Sequence, residues 1–148
     1  MTSESVEDYM EAIYNLIERD GEARTQKLAE ELDIQPPSVS EMMQKLDQRG
    51  FVDYKKYGRI KLTDEGERLA RDVKETHNAI KCFLTAIGVP EEIAEKDACK
   101  AEHGLDRKTV EQLKKFSRFI RECPKDGPTW VKHFEFYSEN GFHPEECC

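Results

Sequence analysis

The tightest constraint on how this chain can fold lies between residues 25 and 62. An apolar pattern at helical spacing runs through Leu28 and Leu32 from a candidate N-cap at Thr25. It breaks for only Asp33-Ile34-Gln35 and resumes at Pro36-Pro37, where proline suits a helix start because its missing N–H is one the first turn leaves unpaired. Residues 37–48 then place Val39, Met43 and Leu46 on one face and stop at Gly50. Residues 51–56 and 59–62 are β-rich runs on either side of a Tyr57-Gly58 turn, the pattern of a hairpin. In front stands an amphipathic stretch over residues 5–19, with Val6, Tyr9, Met10, Ile13, Leu16 and Ile17 as its stripe. Three helices followed by a two-stranded hairpin is the order of a winged helix-turn-helix. Many bundles carry a hairpin; the tight turn over residues 32–37 and the basic wing favour this one.

From Thr63 the period changes. Residues 63–88 read as one long helix whose apolar face (Leu69, Val73, Ala79, Ile80, Phe83, Leu84, Ile87) is too broad for a small wing to cover. Further helices are expected over residues 91–103, closed by Gly104, over 106–122 with Val110, Leu113, Phe116, Phe119 and Ile120, and over 129–137. The expected fold is mainly α. A winged helix-turn-helix domain over residues 1–63 precedes an all-helical domain over 64–148.

The 148 residues are 37% apolar and 36% charged, a pairing that can mean disorder, but the apolar residues recur periodically. No apolar run approaches the roughly 20 residues of a bilayer span, and no signal-peptide core follows Met1, so a soluble, cytoplasmic protein is expected. A net charge of −8 speaks at first against nucleic acid. That charge is unevenly spread: −5 over residues 1–20, +1 over 21–62 and −4 over 63–148. Lys45, Arg49, Lys55, Lys56, Arg59 and Lys61 gather at the end of the least acidic segment, and local basicity is what meets phosphate.

Cys99, Glu102 and His103 stand at i, i+3 and i+4, which puts a thiol, a carboxylate and an imidazole on one helical face. Asp8 and Glu11 are i and i+3 on the first helix, and His77 sits mid-way along the long one. Six donor-capable side chains on three helices can converge on one ion. Taken singly, each has an ordinary reading. Asp8 can be the acidic partner of a capping box with Ser5, Glu11 a solvated face, His77 an exposed polar position and Cys99 a small buried hydrophobe. Together, Cys-x-x-Glu-His has the chemistry and spacing of a metal site. The five cysteines are odd in number and irregularly spaced, so no disulfide framework is expected. Cys82 falls among apolar positions. Cys123, His133, His143, Cys147 and Cys148 suit either an accessory metal site or a tail with unpaired thiols.

These motifs resemble the diphtheria toxin repressor family of metal-dependent repressors, and within it the two-domain manganese transport regulators. The resemblance covers about residues 3–122 and rests on Glu7-Asp8-Tyr9-Met10-Glu11-Ala12-Ile13-Tyr14, Pro37-Ser38-Val39-Ser40, Gln44-Lys45-Leu46-Asp47, Leu62-Thr63, His77 and Cys99-Lys100-Ala101-Glu102-His103. It implies a metal-dependent transcriptional regulator, not an enzyme, with a helical dimerisation domain and no SH3-like third domain. It makes Asp8, Glu11, His77, Cys99, Glu102 and His103 the metal ligands. Manganese-type members carry glutamate at the Cys99 position; iron-type members carry cysteine there but methionine at the Asp8 position. The second metal site of iron-type members uses a glutamate where this chain has Lys81 and a histidine where it has Glu95. The thiolate leans toward Fe2+, the three carboxylates toward Mn2+ as the alternative, and purified protein can hold Zn2+, Co2+ or Ni2+.

The resemblance further implies a homodimer on double-stranded operator DNA, with neither a membrane nor a small-molecule substrate as partner. Two-fold symmetry then calls for an inverted repeat with half-sites about one helical turn, ~34 Å, or a multiple of it apart. Residues 37–48 would enter the major groove. Ser38 and Ser40 suit phosphates or base edges, Pro37 a thymine methyl, and Lys45 a phosphate, while Glu41 can accept from a cytosine amino group or disfavour wrong sequences. Thr25, Lys27 and Gln35 lie where helix N-termini approach the backbone, and Tyr57 and Arg59 at the wing tip. Two alternatives of other classes remain: a winged-helix regulator sensing a small organic ligand, and a metalloenzyme, which would need an open coordination position and a placed base.

Overall fold

A computed structural model of the protein describes residues 4–56, 58–123 and 128–145. Its elements run α1 (Glu4–Asp20), β1 (Ala23–Arg24), α2 (Thr25–Leu32), α3 (Pro36–Gln48), β2 (Val52–Tyr54), β3 (Arg59–Leu62), α4 (Asp64–Ala86), α5 (Glu91–Ala101), α6 (Arg107–Glu122) and α7 (Thr129–Asn140). The chain divides into two compact units, residues 1–74 and 75–148, with α4 continuing from one into the other.

In the first unit the expected hairpin, β2 and β3, belongs to a three-stranded antiparallel sheet of order β1-β3-β2 with β3 at its centre. Ala23 pairs with Ile60 and Arg24 with Arg59 on one side of β3; Val52, Asp53 and Tyr54 pair with Leu62, Lys61 and Ile60 on the other. Two residues carry no readable period, so β1 was not expected. The stripes that announced the helices form one core: Met10, Ile13, Leu16, Leu28, Val39, Met43, Leu46, Val52 and Ile60 are its largest buried side chains. Each fully buried aliphatic side chain contributes about 1.5–3 kcal/mol. This stabilisation is what holds three short helices on so small a sheet.

The joints are set by backbone geometry. Between α2 and α3, Asp33 takes the left-handed conformation (φ 53°), and the Ile34 N–H donates to the Ala29 carbonyl at 3.0 Å. That is the Schellman closure, with aspartate in the place glycine usually holds. Thr25 is not the N-cap of α2. Arg24 occupies that position without a side-chain cap, and the Thr25 hydroxyl is buried without a hydrogen-bond partner.

Thr63 seats α4. Its hydroxyl donates to the Gly50 carbonyl at 2.6 Å and accepts from the Gly66 N–H at 3.1 Å, while its own N–H donates to the Phe51 carbonyl at 3.1 Å. The first turn of α4 is thereby pressed against the loop before β2. A Cβ on Gly66 would stand 1.9 Å from the Phe51 carbonyl oxygen.

In the second unit, Ala94 and Ala98 are the fully buried residues of α5. Phe116 on α6 meets Phe83 edge-on and Trp130 of α7, each at 5.7 Å between ring centres. Much of the apolar face stays uncovered: Phe119, Trp130, Phe134, Tyr137 and Phe142 are all exposed. Among the described residues no helix is long and apolar enough to cross a membrane.

Candidate metal centre and nucleic-acid interface

Pro90 opens α5, and Glu91 and Glu92 in its first turn favour its positive end. The helix ends at Ala101, two residues before the expected His103. Glu102 is the C-cap, still right-handed and donating its N–H to the Ala98 carbonyl at 3.0 Å, while His103 lies in the turn that follows. The i, i+3, i+4 spacing nevertheless delivers Cys99, Glu102 and His103 to one place, because the backbone keeps its helical turn through residue 102.

His77, on α4, is the hub of this cluster. Its Nδ1 lies 2.8 Å from Glu102 Oε2 and 3.8 Å from Cys99 Sγ, and its Nε2 lies 3.0 Å from Glu95 Oε1. The other oxygen of Glu102 is 3.3 Å from His103 Nε2. His77 and Glu102 are both buried, against the reading of His77 as an exposed polar position. Ligands bound at about 2.0–2.3 Å stand roughly 3–4 Å from one another around an ion. The separations of imidazole, thiol and carboxylate here are of that size, so the donor set fits a first-row divalent cation.

Of the six expected ligands, His77, Cys99, Glu102 and His103 are together in the second unit. Asp8 and Glu11 stand on α1 in the first. Glu95, which the sequence reading did not place among the ligands, joins the cluster: one donor atom each from His77, Glu95 and Cys99 lie within 4.8 Å of one another. Its spacing of one turn before Cys99 was the available signal. Lys81 bonds the second oxygen of Glu95 at 3.0 Å and Glu91 at 3.0 Å. Burial works to raise the Glu95 carboxyl, but Lys81 and His77 outweigh it and hold the group below the usual carboxylate range. The Lys81 ammonium is pushed up by its bonds to Glu95 and Glu91. No disulfide joins Cys82, Cys99 and Cys123. His143 stacks near Tyr137 at 4.8 Å, and Cys147 and Cys148 lie outside the described residues.

In the first unit, α3 buries Val39, Met43 and Leu46 and exposes Pro37, Ser38, Glu41 and Lys45 on its other side, together with Gln44 and Gln48. Gln44, three residues after Glu41 on the same exposed side, was missed as a candidate; glutamine can pair bidentately with adenine. Gln35 is the N-cap of α3, whose first turn includes both prolines. Ser40 is half-buried and accepts from the Tyr54 hydroxyl at 3.4 Å, which ties the helix to the wing.

The three cationic candidates are already paired. Lys45 meets Glu41 at 2.9 Å, Lys27 meets Asp20 at 3.2 Å and Arg59 meets Glu22 at 2.7 Å. The Lys45 bond lowers the Glu41 carboxyl, and Arg19 followed by Lys27 lowers Asp20. Exposed pairs of this kind are worth about 0–1 kcal/mol, so phosphates can take the cations at little cost. Tyr57 lies outside the described residues.

Residues 1–60 match the family described as iron-dependent repressor, N-terminal DNA-binding domain, and residues 63–131 its metal-binding and dimerisation domain. The chain is 37% identical over 122 residues to the HTH-type transcriptional regulator MntR of Oceanobacillus iheyensis, covering 82% of this chain and 83% of that protein. It is 40% identical over 122 residues to an uncharacterized HTH-type transcriptional regulator of Methanocaldococcus jannaschii, covering 81% of this chain and 98% of that one. Among solved structures, the manganese regulator SloR aligns with a TM-score of 0.66 at 32% identity over 80% of this chain. The chain spans only 56% of the SloR chain. It therefore belongs to the diphtheria toxin repressor family of iron-dependent repressors: it is a metal-dependent, DNA-binding transcriptional regulator with a mainly helical fold.

Proposed function

We propose that this regulator represses metal-uptake genes, binding an inverted-repeat operator as a homodimer when loaded with Fe2+, with Mn2+ as the alternative co-repressor. The gathering of His77, Cys99, Glu102 and His103 around a buried carboxylate carries the reading. Asp8 and Glu11, at i and i+3 on α1, complete the proposed ligand set. The proposed division of labour gives residues 1–63 to DNA and 64–148 to metal and dimerisation. In the metal-free state four potential anions (Asp8, Glu11, Cys99, Glu102) belong to one ligand set. A bound divalent cation offsets their repulsion, and in doing so reduces the spread of conformations open to the free protein. Linkage then requires operator DNA to tighten metal binding by the factor by which metal tightens DNA binding.

The Cys99 thiolate is the donor that favours Fe2+, whereas the manganese regulator SloR points to Mn2+. Exposed Phe119, Trp130 and Phe134 are surface that a second copy of the chain would bury. For DNA, the proposed readers are Pro37, Ser38, Ser40 and Glu41 toward bases or phosphates. Thr25, Lys27, Gln35, Lys45 and Arg59 are the proposed backbone contacts, and Tyr57 is a further proposed one.

The test is an anaerobic DNA-binding titration with Mn2+, Fe2+, Co2+ and Zn2+ at fixed salt, on a duplex selected from a random pool. Fe2+ or Mn2+ should raise the affinity about 5- to 150-fold, the usual span of such couplings. Equal affinity with and without both ions would sink the proposal.

Glu41→Gln provides a sharper test of the DNA face. Removing a carboxylate that holds Lys45 and repels phosphate should tighten binding roughly fivefold. The freed lysine should steepen the dependence of log K on log salt by about 0.9. A loss confined to operators with one particular base pair would instead assign Glu41 to a cytosine.

A further inference from the structure

Two rows of side chains face each other across α4 and α5. His77 and Lys81 are one turn apart on α4; Glu91, Glu95 and Cys99 follow at one-turn intervals on α5. Glu95 stands between the two α4 residues. One of its oxygens lies 3.0 Å from His77 Nε2 and the other 3.0 Å from Lys81 Nζ, which is itself anchored by Glu91. The opposite nitrogen of the ring, Nδ1, faces Glu102 at 2.8 Å and Cys99 at 3.8 Å. The ring therefore has one edge on the cluster of ligands and the other edge on Glu95.

A histidine that binds a metal through one nitrogen commonly donates its other N–H to a carboxylate, which fixes the tautomer and ring orientation and makes the ligand more basic. We propose that Glu95, held in place by Lys81, is the positioning residue of this metal centre. It accepts the Nε2–H of His77 and so leaves the Nδ1 lone pair for the ion shared with Cys99 and Glu102. In this arrangement Glu95 is a partner of the ring and not a ligand, because one of its oxygens is taken by His77 Nε2 and the other by Lys81. The proposal rests on the reading of His77, Cys99 and Glu102 as ligands, and adds that Lys81 acts through Glu95.

The experiment is Co2+ titration of the full chain, anaerobically, read by d–d and thiolate-to-cobalt absorption, for wild type, Glu95→Ala, Glu95→Gln and Lys81→Met. Glu95→Ala should weaken Co2+ binding about 10- to 100-fold, the range measured for such outer carboxylates, while the spectrum at saturation keeps its shape. Glu95→Gln retains an oxygen that accepts the same N–H and should recover most of that loss. Lys81→Met, which leaves Glu95 in place but unanchored, should fall between the alanine variant and wild type.

Affinity of Glu95→Ala within about twofold of wild type would overturn the proposal while leaving the metal site standing. A saturated Glu95→Ala spectrum that changes coordination type would overturn it by making Glu95 a ligand. Wild type that takes up no Co2+ would overturn the ligand reading itself, and this proposal with it. Should the alanine variant lose helicity by circular dichroism, Lys81→Met decides: weakened Co2+ binding in a folded Lys81→Met supports the anchored arrangement, and wild-type affinity there overturns it.

Discussion

Glu102→Ala is expected to abolish the metal dependence of operator binding and to leave the fold intact. The Glu102 side chain is 2% exposed and holds two imidazoles, His77 through one oxygen and His103 through the other. Its replacement removes a proposed ligand and the group that orients two more. The backbone of residue 102 has no stake in the carboxylate, since its N–H closes on Ala98 whatever the side chain. The change is confined to one side chain at the end of α5, so helicity should match wild type. Fluorescence anisotropy with and without Fe2+ or Mn2+ should give a single affinity, erasing a difference of about 5- to 150-fold in the wild type. His103→Ala should behave in the same way. Loss of helicity in either variant would assign the pair to structure instead.

The second large effect is expected at a residue that is not a proposed ligand. Gly66→Ala puts a methyl 1.9 Å from the Phe51 carbonyl oxygen, 2.8 Å from its carbon and 3.1 Å from the Met10 Cε. Met10 can yield, but the Phe51 carbonyl cannot move freely because it accepts from the Thr63 N–H. In an isolated helix alanine would be favoured over glycine by about 1 kcal/mol. Here that preference is overridden: the first turn of α4 must lift from the loop, loosening the Thr63 bonds to Gly50 and Gly66. Overpacking of this kind costs about 1–3 kcal/mol and occasionally more, and a clash against backbone belongs at the upper end. Thermal unfolding should show a fall in Tm of several degrees or more. An unchanged Tm would mean that the turn and the helix are not seated as described.

Much of the first unit was legible before any coordinates. Leu28, Val39, Met43 and Leu46 were marked by helical period and are fully buried, because a short amphipathic helix has no stable alternative to burying its one apolar face. The chemistry of Cys99, Glu102 and His103 was legible for a related reason: the spacing that aligns side chains on a helix is local. Even the misplaced end of α5 did little harm, since residue 102 keeps the helical turn. The compensation of Lys45 by Glu41 was equally local, at i and i+4.

Other features have no local signature. β1 is two residues long and exists only because β3 offers an edge to pair with. Lys27 and Arg59 read as cations for DNA, yet Asp20 and Glu22 reach them from other parts of the chain. Gly66 carries no signal of its own in the sequence; its role comes from the Phe51 carbonyl beside it. Glu95 enters the sequence reading only as the residue that stands where iron-type members have a histidine. The sequence by itself determined which side chains share a helical face, and hence the fold class, the candidate metal donors and the family. Only the tertiary structure decided what those faces meet. It set Glu95 and Lys81 against His77, and Gly66 against a carbonyl, because pairing across elements depends on distances that the spacing of residues along one chain does not contain.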